Sequence, residues 1–205
     1  LTPWFFHPSY PEPTKAFSHK ASSRFQIRPA TLNDLTDVAQ IIAESFHSQN
    51  GMWGWAFPLL RLGIHEDLRY RLGTSDPHHV CLVATDTSVD QLEHLVGTVE
   101  LGVRFSDSWT QVGKSFPYLS NLAIHPQYRR QGAASQLLAA CEKVVLSWGF
   151  QDLYLHVLEN NHQAWQLYFK LGYRVHKVES HWNRFIFRSS RQIFLHKHIS
   201  TDSII

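Results

Sequence analysis

The stretch from Tyr118 to Gly149 constrains this chain more than any other. It begins as an apolar strand, Tyr118-Leu-Ser-Asn-Leu-Ala-Ile124, and passes through a turn ending in Arg129-Arg-Gln-Gly-Ala-Ala134. An amphipathic helix follows, with Leu137, Leu138, Cys141, Val144, Val145 and Trp148 falling on one side at helical spacing. Gly149 stands where a left-handed cap ends such a helix. The turn therefore opens the helix, whose first N–H groups lack acceptors and whose dipole is positive at that end. Two arginines beside such a terminus make an anion site suited to phosphate. A strand, helix and strand in succession also imply a locally parallel pair of strands.

The other elements extend this unit into a mixed α/β sheet. Phe25 to Pro29 reads as a first strand, and Thr31-x-x-Asp34 as a capping box opening a helix with Leu35, Val38, Ala39, Ile42 and Phe46 on one face. A loop from Gln49 to Pro58 carries Trp53 and Trp55 between glycines, and a less regular helix spans about Leu59 to Leu72. After the breaker Gly73-Thr-Ser-Asp-Pro77, Val80 to Thr85 and Leu95 to Phe105 read as strands. In the second of these, period two puts Val96, Thr98, Glu100 and Gly102 on one face. Ser106 to Pro117 reads as a polar loop, and Asp152 to Leu158 as a buried fifth strand. Asn161 caps a further helix that ends at Gly172, and Tyr173 to Val178 and Gln192 to Ile199 are late strands. Residues 1–24, with four prolines and no periodicity, read as a flexible extension to a single domain spanning 25–205.

Composition excludes several classes of function. A formal charge of +2 over 205 residues, with no basic run interleaved with aromatics, argues against nucleic acid as a partner. No apolar run approaches the length of a membrane span. Cys81 and Cys141 both sit in apolar stretches and read as reduced core residues, so a reducing compartment is expected. That compartment is the cytoplasm, or the plastid stroma if the extension is a processed remnant. Of the fourteen histidines, His78-His79 and His196-x-His198 could each offer two ligands. Neither pair has a third ligand at a known spacing, so no metal is expected.

Two motifs in order carry a resemblance. Arg129-x-x-Gly132-x-Ala134 follows a strand and opens a helix, and Asn161-x-x-Ala164-x-x-Leu167-Tyr168-x-Lys170-x-Gly172-Tyr173 follows it. Together they resemble the acyl-CoA motif and the later signature of the GNAT superfamily of acetyl-CoA-dependent N-acetyltransferases, over roughly Phe25 to Ile199. The tail is similar to members of the cyanobacterial and plastid branch. The resemblance implies a sheet of about seven strands flanked by about four helices, with the fourth and fifth strands splayed into an acyl-CoA cleft. It further implies that Arg129, Arg130, Gln131, Gly132, Ala133, Ala134 and Ser135 hold the pyrophosphate. The pantetheine arm would lie along the backbone of Leu122, Ala123 and Ile124, with Asn161 and Tyr168 completing the cofactor side.

By the same resemblance, the Leu122 N–H polarises the thioester carbonyl and Tyr168 protonates the departing CoA thiolate. The general base stays open. Many relatives carry a glutamate early in the fourth strand, where this chain has Phe116 to Ser120. Glu100 on the preceding strand is the best substitute, His156 a further candidate, and water a third. The acceptor is a primary amine, expected on a protein N-terminus or lysine. A small arylalkylamine, for which Trp53, Trp55 and Phe57 could line a pocket, is the alternative. A non-catalytic acyl-CoA-binding member of the fold is the other reading, and a monomer or homodimer is expected.

Overall fold

The computed structural model describes residues 24–46, 57–73, 76–86, 94–105, 115–179 and 191–200. Seven strands form one sheet: β1 (Phe25–Pro29), β2 (His79–Asp86), β3 (His94–Phe105), β4 (Ser115–Ile124), β5 (Asp152–Leu158), β6 (Arg174–Glu179) and β7 (Gln192–His198). Their order is β1-β2-β3-β4-β5-β7-β6. Every pair is antiparallel except β4 with β5, which are joined through a helix as a parallel pair must be. The helices are α1 (Leu35–Phe46), α2 (Phe57–Gly73), α3 (Ala133–Ser147) and α4 (His162–Lys170).

The sheet is covered on both faces. Helix α3 lies across β1 to β5, burying Ala133, Leu137, Leu138, Ala140, Cys141 and Val145. Full burial of a leucine such as Leu137 or Leu138 contributes about 1.5–3 kcal/mol. Helix α4 adds Tyr168 to this same core. On the opposite face, Leu35, Val38, Ala39, Ile41 and Ile42 of α1 pack with Leu68 of α2 against Cys81, Val83 and Ala123. The two thiols thus lie in cores on opposite sides of the sheet, and burial pushes Cys81 up to about 12.

The ends of the elements follow local chemistry. The backbone N–H and hydroxyl of Thr31 both donate to Asp34 Oδ2, at 2.7 and 2.8 Å, closing the expected box. Its first turn, Leu32–Asp34, is a 3-10 turn that runs into α1. Gly149 is left-handed as expected, at φ 82°. Gly97 sits at a close approach, where an added Cβ would crowd Ile124 Cδ1 and lie 3.1 Å from the Ala123 carbonyl oxygen. That contact lets β3 and β4 pack closely under α3.

Two local expectations need correction. Strand β4 starts at Ser115, inside the segment read as a polar loop, because buried Phe116 packs edge-on against Tyr154 and Phe194. Val96 does not share a face with Thr98 and Glu100. The β2–β3 register skips Val96 between the Thr85↔Leu95 and Ala84↔Gly97 pairs, and this bulge turns Val96 into the α3-side core. Residues 1–23 and the loop bearing Trp53 and Trp55 lie outside the described residues, as does the side chain of Phe57.

Candidate active site

The parallel pair is short. Strand β4 pairs with β5 only at Tyr118↔Tyr154 and Leu119↔Leu155, after which the two diverge. A cleft of about 700 Å³ opens between them, walled by Ser120 to Ile124 on one side and His156 to Leu158 on the other. Its ends are the turn that opens α3 and the inner face of α4. The divergence has a local cause. Thr98 pairs with Ala123 and Glu100 with Ser120, so Asn121 and Leu122 together oppose Val99 in a β-bulge. Asn121 there is left-handed, with φ 51°.

At the turn, Arg130 and Gly132 both take positive φ, 63° and 96°. Gly132 caps α3 without any side-chain acceptor, and the first helical bond runs from Gln136 N–H to the Gly132 carbonyl. The N–H groups of Ala133, Ala134 and Ser135 consequently have no helical acceptor. An added Cβ on Gly132 would meet no neighbouring atom of the described residues within 4 Å, which leaves room for a ligand at the turn. Together with Arg129 and Arg130, these donors fit a pyrophosphate.

Of the sequence-predicted cofactor residues, Leu122, Ala123, Ile124, Arg129, Arg130, Gly132, Ala133, Ala134, Ser135, Asn161 and Tyr168 all line this cleft. Arg129 also braces the turn, its Nε donating to the Ile124 carbonyl at 3.2 Å. Gln131 faces away: its side chain donates to the Gln127 carbonyl and accepts from Arg24 Nη1 at 2.6 Å. Asn161 Oδ1 accepts from the Ala164 N–H at 3.1 Å, so its side chain caps α4.

Tyr168 is 8% exposed and lines the cleft, with its ring edge-on to Tyr173. Burial, reinforced by the neighbouring Tyr118 phenol, pushes its hydroxyl well above the ordinary tyrosine range. The group stays protonated, so it is a hydrogen-bond donor throughout the working pH range.

Glu100 is not among the residues that line the cleft. Only 2% of its side chain is exposed. Oε2 accepts from Arg71 Nη1 at 2.9 Å and Oε1 from Asn121 Nδ2 at 3.0 Å. His79 Nε2 stands 3.6 Å from Oε2, too far for a hydrogen bond and close enough for an ion pair. Burial alone would raise the carboxyl, but His79, Asn121 and the Arg71 charge outweigh it and hold the group below its ordinary value.

His156 does line the cleft, and its Nδ1 is 2.8 Å from the Tyr118 hydroxyl. The ring is stacked on Phe194 at 4.6 Å, and Phe194 in turn stacks on Tyr154. Arg104 lies over the Tyr118 ring, with Cζ 3.5 Å from its centre. The sequence named His156 as a candidate and missed its pairing with Tyr118. The two are 38 residues apart and meet only through the β4–β5 register. His196 and His198 share a face as expected, and both bond Asp152 Oδ1, at 2.7 and 3.0 Å. Among the described residues, no three His, Cys, Asp or Glu side chains converge on a metal position.

The model of the acetyltransferase (GNAT) family matches residues 36–173, which include the bulge, the turn and both signatures. The chain belongs to this family. Membership makes it an acetyl-CoA-dependent N-acetyltransferase. It is 29% identical over 179 residues to GCN5-related N-acetyltransferase 10, chloroplastic, of Arabidopsis thaliana, covering 82% of this chain and 69% of that protein. It is 32% identical over 96 residues to thialysine N-epsilon-acetyltransferase of Bos taurus, covering 47% of this chain and 56% of that one. Both alignments thus leave a substantial part of the relative unmatched. Among solved structures, Arabidopsis thaliana NAA60 in complex with acetyl-CoA superposes with a TM-score of 0.65 at 19% identity, covering 85% of this chain and 98% of that chain. At that identity the likeness is one of fold. No helix among the described residues is long and apolar enough to cross a membrane.

Proposed function

We propose that this GNAT acetyltransferase acetylates a primary amine carried by a polypeptide, at an N-terminus or a lysine side chain, by direct attack within the β4–β5 cleft. The observation that carries the reading is His156 on the cleft wall, with its Nδ1 2.8 Å from the Tyr118 hydroxyl. An attacking amine must be neutral, although a lysine amine has a pKa of about 10.4 and an α-amine about 8. The pair takes the amine's proton, directly or through a bridging water, onto the Tyr118 oxygen while the hydroxyl passes its own to His156 Nδ1, and so acts as the base where no carboxylate of the described residues lines the cleft.

The remaining residues take the other tasks. The turn from Arg129 to Ser135 holds pyrophosphate, and the Leu122 N–H is directed at the thioester carbonyl, stabilising the oxyanion formed on attack. Tyr168 donates a hydrogen bond to the sulfur as charge develops there. A thiol has a pKa of about 8.5 and an ordinary tyrosine about 10, so complete transfer from the more strongly held Tyr168 proton is uphill. Hydrogen bonding to the thiolate, followed by protonation from water, is the favoured course.

A side-chain amine acceptor is supported by the thialysine relative, which also supports a small-amine acceptor as the second reading. The chloroplastic relative supports a plastid location. The test is thiol release from acetyl-CoA with peptides bearing a free N-terminus, peptides with an internal lysine, thialysine and an arylalkylamine. Turnover on peptides with mass-confirmed acetylation is expected. Turnover confined to the small amines would reverse the order of the two readings, and CoA binding without any turnover would leave a non-catalytic module.

A further inference from the structure

Glu100 is a buried charge that the proposed chemistry does not use. Removing a carboxylate from water is costly unless it is paired and hydrogen-bonded, and this one is supplied from three elements. Arg71 reaches it from the last turn of α2, His79 from the start of β2, and Asn121 from the bulge of β4. Of these, Asn121 has the special backbone. Left-handed φ is unfavourable for residues other than glycine, and asparagine tolerates it best when its side chain is bonded locally. Here the side-chain amide is bonded to Glu100 across the strand pair, which pins the residue that makes the bulge. The next residue is Leu122, which lines the cleft.

We infer that Glu100 is a positioning residue: through Asn121 it locks the β4 bulge and so aims the Leu122 N–H at the reacting carbonyl, with Arg71 neutralising its charge. The inference rests on acetyl transfer occurring in this cleft. Both carboxylate oxygens accept from neighbouring side chains, only 2% of the Glu100 side chain is exposed and it does not line the cleft, so it has no direct access to an amine bound there.

Four proteins test this: Glu100→Gln, Glu100→Ala, Asn121→Gly, and the double variant Glu100→Ala with Asn121→Gly. Glycine holds positive φ without a tether, so it can restore the bulge where Glu100 is missing. Glu100→Ala is expected to lower kcat by about tenfold or more, since an ångström of misplacement costs up to about a hundredfold. CoA affinity should stay within about threefold, because the pyrophosphate turn and its donors are untouched. Adding Asn121→Gly should recover most of kcat while leaving the melting temperature low. Glu100→Gln should leave the shape of the pH–rate profile unchanged. Loss of one limb of that profile in Glu100→Gln would overturn the inference in favour of a base. So would a double variant no more active than Glu100→Ala. Amide exchange in the ladder flanking the bulge, at Ser120 and Ala123, gives a readout independent of turnover: faster in Glu100→Ala and slowed again in the double variant. Unchanged exchange overturns the inference, whereas the expected exchange pattern in a wild-type protein inactive with every amine would overturn only the reading of function.

Discussion

Replacing His156 by phenylalanine isolates the proposed proton relay. The variant keeps a ring on Phe194, where the imidazole now stacks at 4.6 Å and 27°, and removes both nitrogens. Its partner change, Tyr118→Phe, likewise keeps the ring under Arg104 and deletes only the hydroxyl. General acid–base assistance is worth about a hundred- to ten-thousandfold, so each change should cost at least about 2.7 kcal/mol of transition-state stabilisation, a factor of a hundred. The two groups share one 2.8 Å hydrogen bond and pass one proton. The double variant should therefore be no slower than the worse single, whereas independent groups would multiply to about ten-thousandfold, or about 5.4 kcal/mol. The assay is steady-state thiol release across pH with acetyl-CoA saturating, alongside thermal unfolding. Unfolding should register about 0.5–1.5 kcal/mol for either single, the net worth of the hydrogen bond removed. Losses in kcat that multiply, or a kcat untouched by His156→Phe, would refute the relay.

Other parts of the site make separate predictions. Tyr168→Phe should lower kcat by about ten- to a hundredfold, the worth of a hydrogen bond to a charged group, with acetyl-CoA affinity preserved in calorimetry; a collapse of affinity would make the ring a packing element instead. Gly132→Val should abolish CoA binding, because a branched residue at φ 96° is strained by about 1–2 kcal/mol and its side chain enters the open turn. Since no neighbouring atom of the described residues lies within 4 Å of that Cβ, retained affinity would mean the phosphate binds elsewhere. Arg28 donates to both oxygens of Asp34 and, against the opposing effect of burial, holds its carboxyl at about 2. A depressed carboxylate stabilises the fold above its unfolded pKa of about 3.9 and loses that contribution as pH falls towards 2. Asp34→Asn should thus unfold about 2 kcal/mol more easily at pH 7, with the gap closing below pH 4. A constant difference across that range would assign the loss to capping geometry rather than charge.

Local periodicity was enough to read most elements. Strand β5 begins and ends at the residues expected from its aliphatic run, and α4 starts behind Asn161 because a side-chain cap needs only three residues of sequence. The turn that opens α3 was legible for the same reason: a glycine before an apolar stripe is a short-range signal. The start of β4 was not, because Phe116 gains its burial from Tyr154 and Phe194, residues brought in by register. Val96 was assigned to the wrong face because one bulge inverts the alternation beyond it, and nothing in the run of residues announces that extra position.

The same division runs through the chemistry. By itself the sequence determined the glycine turn that opens α3, the family to which the chain belongs, and the α4 face on which Tyr168 reaches the cleft. These depend on backbone conformation and spacing within one or two elements. Tertiary structure alone decided what the charged and polar side chains between the strands do. It tied Glu100 to Arg71 and Asn121, turned Gln131 away towards Arg24, and joined Tyr118 to His156. A hydrogen bond requires two atoms within about 3 Å, and across a sheet that proximity is set by register and bulges rather than by distance along the chain.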